Sequence, residues 1–174
     1  FYFSDFNQEV NIVARDSTTS WLHWEHWVGS MIWGQMKIIN ERHFGYDIDH
    51  IDNGQLQYTR YGPNQYYKWH EDEGLSRTGD NGINFIEGDF EEIKNRYIVN
   101  KTKPVRKLSA SLILNDDFDG GQFQIIEPNS RPYTAPSERG TLIVFDSRML
   151  HRVRPVSNGV RKSIVAWGCG PRWK

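Results

Sequence analysis

The amino-acid sequence predicts a mainly β domain, an antiparallel sandwich or barrel of the jelly-roll kind with a helix packed outside it. Three observations carry that expectation. Beyond residue 50, apolar residues recur with a period of two in short runs broken by Gly, Asn, Asp and Pro turns. The run "GTLIVF" (140–145) is continuously apolar, as in a buried strand. Upstream, "EHWVGSMIWGQMKIINERHFG" (25–45) instead has helical spacing, with Val28, Met31, Ile32, Gln35, Met36 and Ile39 mostly on one face.

Taken in order, the apolar alternation "EVNIVAR" (9–15) reads as an outer strand. The helix follows; Gly29 and Gly34 weaken it by about 1 kcal/mol each against alanine, and Gly45 is its stop signal. "GQLQYTRYG" (54–62) alternates, and "NQYYKWH" (64–70) follows a Gly-Pro turn. "RKLSASLILN" (106–115) is a longer alternating run, and "NDDFDGG" (115–121) turns the chain into a return strand, "QFQII" (122–126). After "GTLIVF", the runs "HRVRPV" (151–156) and "VRKSIVAWG" (160–168) flank a turn at "SNG" (157–159). Between Asp72 and Leu108 no strand is evident, and residues 73–107 read as a long loop inserted in one domain spanning 1–174. A loop of that length is usually functional, so it is expected to act as a lid or substrate clamp, with a short helix at "DFEEIKNRY".

Composition bounds the function. A chain of 174 residues is long enough to bury a core, and seven tryptophans, eight tyrosines and nine phenylalanines supply large apolar area to it. No apolar run approaches the ~20 residues that span a bilayer, and no signal peptide is evident. A cytoplasmic protein without a membrane partner is therefore expected, although the chain opens on Phe1 and an upstream leader stays open. The net charge of −1 argues neither for nor against nucleic acid. The lone cysteine, Cys169, excludes a disulfide framework and a Cys-rich zinc site and reads as a small core residue. Any metal must be held by histidine and oxygen.

His70-Glu71-Asp72 ends an aromatic strand, and on a strand the first and third side chains share a face. The motif is weak alone, and a second copy, His50-Ile51-Asp52, sits in acid-rich sequence that reads as a solvated loop. Company strengthens His70. His151 follows the buried run, although a histidine there is more often a hydrogen-bonded core residue than a ligand. Arg161 opens the last strand, with Ser163 and Trp167 on its face by alternation. An inward arginine is costly to bury unless an anion pairs with it, and a bidentate carboxylate is a good partner. Two histidines and a carboxylate on one side of an iron leave three positions open, the facial arrangement of non-haem iron(II) oxygenases. The charges balance as well. Iron(II) with one aspartate carries plus one, and a dianionic 2-oxo acid with one arginine carries minus one.

In "QYTRYGPNQYYKWHED", "RKLSASLILND", "GGQFQI" and "GTLIVFDSRMLHRVRPVSNGVRKSIVAWGCGP" the chain resembles the prolyl 4-hydroxylase-like, or PKHD-type, dioxygenases that depend on iron(II) and 2-oxoglutarate. "IINERHFGYDID" extends the likeness to roughly residues 20–171. The resemblance implies a double-stranded β-helix, cupin-like, with His70, Asp72 and His151 as catalytic iron ligands. Arg161 would bind the distal carboxylate of 2-oxoglutarate, with Tyr61 and Ser163 beside it, and Tyr67 and Trp167 would line the substrate pocket. For those last two, ordinary core packing is an equal reading. His23, His26 and His43 have no ligand partner.

By the same resemblance, an unactivated C–H is hydroxylated with O2, while 2-oxoglutarate is decarboxylated to succinate and CO2 and ascorbate serves as reductant. A carboxylate at Asp72 favours hydroxylation over halogenation. The implied partner is a prolyl residue of a peptide or protein. Two other readings stay open: a nucleic-acid oxidative demethylase using "KTKPVRK" and "HRVRPVSNGVRK", and a non-catalytic β-helix that binds zinc or a small acid as an interaction module.

Overall fold

The computed structural model describes residues 14–73, 104–127 and 130–173. Most of "EVNIVAR", the 73–107 loop and its "DFEEIKNRY" helix lie outside the described residues.

Strands β1 (Arg15–Asp16) and β2 (Thr18–His23) lead into helix α1 (Trp27–Ile39). The His26 ring accepts from the Val28 amide at 3.4 Å and so caps the helix. One face of α1, formed by Val28, Ile32 and Met36, is buried, whereas Met31 and Gln35 are exposed. The helix passes into a π-helical turn, Asn40–Phe44, which stops at Gly45 in the left-handed region (φ 66°), as its glycine predicts.

Strand β3 (His50–Ile51) and a 3-10 turn, Asp52–Gly54, precede β4 (Gln55–Tyr61) and β5 (Tyr66–His70). The expected loop at His50 is therefore a short strand, because its backbone pairs with Cys169. Asp52 is half-buried and bonded to Arg106. Next come β6 (Val105–Ile113), β7 (Phe118–Gly120), β8 (Phe123–Ile126) and β9 (Tyr133–Thr134). Strand β6 takes in the last three residues, 105–107, of the expected 73–107 loop. The last four are β10 (Leu142–Asp146), β11 (Leu150–Val153), β12 (Val156–Gly159) and β13 (Arg161–Gly170).

Two antiparallel sheets face each other. One runs β1-β5-β11-β8-β9 and the other β10-β6-β13-β4-β2, with β3 pairing β13 at one end. The expected "SNG" turn instead belongs to a two-stranded ribbon, β12-β7. Only Phe145 and Asp146 of β10 are fully buried, because that strand forms a sheet edge.

Period-two alternation divides the six-stranded sheet between two tasks. Leu108, Ala110 and Leu112 of β6, with Ile164 and Ala166 of β13, pack on α1 through Val28, Ile32 and Met36. The intervening residues, Ser109 and Ser111 on β6 and Arg161, Ser163, Val165 and Trp167 on β13, face the opposite sheet. Small serines there leave space between the layers, and that space is the site.

Candidate active site

A cavity of about 210 Å³ lies between the sheets, lined among others by Tyr61, Tyr67, His70, Asp72, His151 and Arg161. The histidines are cross-strand partners, with His151 on β11 directly opposite His70 on β5 and ring centroids 4.1 Å apart. Asp72 arrives differently from the strand alternation expected of it. Strand β5 ends at His70, and Asp72 lies in the bend beyond, where its amide donates to the Ser147 carbonyl at 2.9 Å. One donor atom from each of the three residues lies within 4.8 Å of the others.

Each histidine has a defined tautomer. His70 Nδ1 lies 2.8 Å from the Lys68 carbonyl, and His151 Nδ1 lies 2.9 Å from that of Met149. Carbonyls only accept, so both Nδ1 atoms carry hydrogen and each Nε2 is the nitrogen turned to the cluster. Those Nε2 atoms approach the Asp72 carboxylate at 3.8 Å (His70) and 3.4 Å (His151). Burial pushes the His70 imidazole down to about 4, with His151 adding to the effect, so His70 is neutral at pH 7. Burial alone would raise the Asp72 carboxyl. The two imidazoles, the Ser109 hydroxyl and Arg106 outweigh it and hold the group below its usual range, as an anion.

Sequence reading missed the groups that fix Asp72. Ser109 donates to Asp72 Oδ2 at 2.6 Å and lies 2.9 Å from the Ser147 hydroxyl. The signal was present in "KLSAS", where serines occupy the inward positions of an otherwise apolar strand. Phe145 meets the His151 ring edge-on at 4.7 Å, and Phe123 lies 5.6 Å from it, shielding one side of the cluster.

Arg161 is 2% exposed. It donates from Nη1 to Ser163 Oγ at 2.9 Å and sits 5.8 Å from the Tyr61 ring, its cross-strand neighbour. Its Nη2 is buried and has no hydrogen-bond partner among the described residues. Burial lowers the guanidinium pKa from its ordinary value, though not enough to remove the charge. Gly121 makes room for the arginine stem, since a Cβ there would stand 3.1 Å from Arg161 Cδ.

The expected aromatics also line the cavity. Tyr67 stacks on His70 with centroids 3.4 Å apart, and burial raises its phenol to about 12, so it stays protonated. Trp167 lies under the Arg106 guanidinium at 3.8 Å and 6.3 Å from Trp21. Two further arginines, Arg15 and Arg106, line the same cavity and were not anticipated. Cys169 is buried in the core, and His23, His26 and His43 are exposed, away from the cluster. Of the basic runs, Arg154 and Lys162 are exposed, and the other described members are engaged or buried. Arg106 is paired with Asp52, Lys107 and Arg161 are buried, and Arg152 lies over Trp69.

The family model described as the 2OG-Fe(II) oxygenase superfamily matches residues 56–168. A PKHD-type hydroxylase of Synechococcus sp. (strain JA-2-3B'a(2-13)) is 36% identical over 63 residues, 34% of this chain and 27% of that protein. A PKHD-type hydroxylase of Klebsiella pneumoniae is 28% identical over 112 residues, 63% of this chain and 41% of that protein. The chain thus spans about a quarter to two-fifths of the curated relatives it matches. A Pseudomonas putida prolyl-4-hydroxylase shares the fold, with TM-score 0.63, 19% identity and coverage of 94% of this chain and 77% of that one. So does a Trichoplax adhaerens prolyl hydroxylase solved with a hypoxia inducible factor peptide fragment, with TM-score 0.63, 17% identity and coverage of 95% and 70%. No helix among the described residues is long and apolar enough to cross a membrane.

Proposed function

The chain belongs to the 2OG-Fe(II) oxygenase superfamily, and on that premise we propose that it is a 2-oxoglutarate-dependent dioxygenase that hydroxylates an unactivated C–H of a peptide or protein, a prolyl residue by preference. His70, Asp72 and His151 hold the iron. Arg161, with Ser163 and Tyr61, holds the distal carboxylate of 2-oxoglutarate. One observation carries the reading: three donors converge in a cavity that is also lined by a buried guanidinium whose Nη2 has no partner among the described residues.

The residues fit the groups they would bind. Two Nε2 lone pairs and one carboxylate form a donor set suited to divalent iron with open positions. Arg161 Nη2 is an orphaned donor of the kind that a carboxylate satisfies in a charge-assisted bond. When bound, iron and 2-oxoglutarate supply the activation of O2, with release of succinate and CO2; the protein supplies binding and orientation.

Each side chain then has a defined task. The carbonyls of Lys68 and Met149 lock the imidazole tautomers, and Ser109 keeps Asp72 ionised and aimed. Phe123 and Phe145 keep water from His151. Tyr67 and Trp167 form aromatic walls suited to a pyrrolidine ring. The prolyl preference is supported by the fold neighbours, a prolyl-4-hydroxylase and a prolyl hydroxylase.

Turnover of labelled 2-oxoglutarate with added iron and ascorbate, alone and with proline-containing peptides, tests the proposal. Peptide-stimulated succinate release, with an added mass of one oxygen on the peptide, is expected. Failure to bind both metal and 2-oxoglutarate would overturn it.

A further inference from the structure

Arg15 is a charged cavity residue that this function leaves unused. It stands on β1, opposite Tyr67 of β5, and its side chain crosses to the other sheet. Nε donates to Ser17 Oγ at 2.7 Å, and Nη2 to Gln57 Oε1 at 2.9 Å and Thr59 Oγ1 at 3.4 Å. The guanidinium carbon lies 4.8 Å from the Tyr67 ring centre. Every one of these partners is neutral, and none of the bonds uses Nη1. By contrast Arg106, the other half-buried arginine on the cavity wall, carries its own counter-ion in Asp52.

Charge bookkeeping sharpens the point and rests on the proposed function. Iron(II) with Asp72 leaves plus one, 2-oxoglutarate with Arg161 leaves minus one, and Arg106 cancels Asp52. Among the described residues, Arg15 then leaves the loaded cavity with an uncancelled positive charge. Placing an uncompensated charge between two sheets is unfavourable, and among the described residues no hydrogen bond occupies the Nη1 donors. We propose that Arg15 is the substrate-recognition residue of this cavity and binds a carboxylate carried by the peptide substrate. Tyr67, stacked on His70 and lying beneath Arg15, then sits between the anchored acid and the metal ligands. The carboxylate comes from an acidic side chain next to the reacting residue or from a peptide C-terminus.

Calorimetric binding to the full chain loaded with Mn(II) and 2-oxoglutarate distinguishes these sources. The probes are two matched pairs: acetyl-Gly-Pro-Asp-amide against its Asn counterpart, and acetyl-Gly-Pro with a free carboxylate against its amide. Within at least one pair the acid should bind about tenfold tighter, the scale of one charge-assisted hydrogen bond. A preference in the first pair assigns a side chain, and in the second a terminus. Arg15→Gln should bring the ratio to about one without changing 2-oxoglutarate affinity, and Arg15→Lys should keep part of it. Acids and amides binding alike, or not at all, would overturn the assignment. So would an Arg15→Gln variant that loses 2-oxoglutarate instead. If Arg15→Gln does not fold, the wild-type ratio and its reduction in Arg15→Lys decide on the same terms. Repeating the titration on metal-free protein separates the two ideas. Loss of Mn(II) and 2-oxoglutarate binding strikes the oxygenase reading, whereas an absent acid preference strikes Arg15 alone.

Discussion

Replacing Arg161 with methionine should weaken 2-oxoglutarate binding severely while leaving the ligand-free protein at least as stable as wild type. The two effects have separate origins. In the ligand-free chain, Arg161 is 2% exposed, with one bond to Ser163 and an unpartnered Nη2. Losing the Ser163 bond costs about 1 kcal/mol. Removing a buried charge and filling its place with an apolar side chain returns about 1–4 kcal/mol, so Arg161→Met should melt at or above the wild-type temperature. With 2-oxoglutarate the sign reverses. Truncating one partner of a buried, hydrogen-bonded charge pair costs about 2–5 kcal/mol, which raises Kd by roughly 30- to 4,000-fold.

Thermal unfolding with Mn(II), with and without 2-oxoglutarate, reads both effects in one assay. At a hundred times Kd the ligand should stabilise wild type by about 2.7 kcal/mol and leave the variant nearly unmoved. A variant that keeps 2-oxoglutarate affinity within about threefold of wild type would refute the assignment of Arg161. A variant that melts well below wild type without ligand would refute the claim that its charge is uncompensated.

Other perturbations separate positioning from ligation. Asp72→Ala or His151→Ala should abolish succinate formation and Mn(II) binding measured by electron paramagnetic resonance, whereas Ser109→Ala should weaken metal affinity by about 10–100-fold without abolishing it. The Asp146 carboxyl would be raised by burial, but bonds from Arg148 and Tyr46 hold it below its ordinary value of 3.8. Its contribution is therefore complete above that pH and lost as pH falls through the lower, folded value. Asp146→Asn should flatten the acid limb of the stability–pH curve measured by chemical denaturation. The two helix glycines should behave oppositely in the same assay. A Cβ at Gly29 would stand 2.0 Å from the Trp24 carbonyl oxygen, so Gly29→Ala should destabilise by several kcal/mol. At Gly34 nothing lies within 4 Å, and alanine should stabilise by about 0.5–1 kcal/mol.

The glycines show what a one-dimensional pattern can and cannot hold. Both weakened the helix expectation equally, yet Gly29 is required by a neighbouring backbone and Gly34 by nothing in the structure. Periodicity was enough to find α1, the long strands and the inward set Arg161, Ser163 and Trp167, because those depend only on local repeat. It missed the pairing of His50 with Cys169 and the β12-β7 ribbon, since both are made by residues distant in sequence. Arg15 was hidden for a similar reason. It ends an unremarkable alternation, and its partners Gln57 and Thr59 are more than forty residues away.

Tyr67 shows how a correct expectation can rest on a feature that strand alternation does not contain. Counted along an ideal strand, Tyr67 and His70 differ by three positions and would point to opposite faces. In the structure His151 pairs with His70 but Val153 pairs with Tyr67, so two steps on β11 oppose three on β5. The extra residue at Lys68–Trp69 is a β-bulge, which shifts the alternation by one and returns Tyr67 to the cavity, stacked on His70. Trp69, one step from His70, lies on the other face by ordinary alternation, where Arg152 covers it. A motif carried from a family brings such an irregularity with it unseen, whereas strict counting would have assigned Tyr67 to the outer surface. The aromatic wall is thus brought beside the histidine pair proposed to hold the metal by one backbone insertion, and a deletion that restored regular pairing there would separate them.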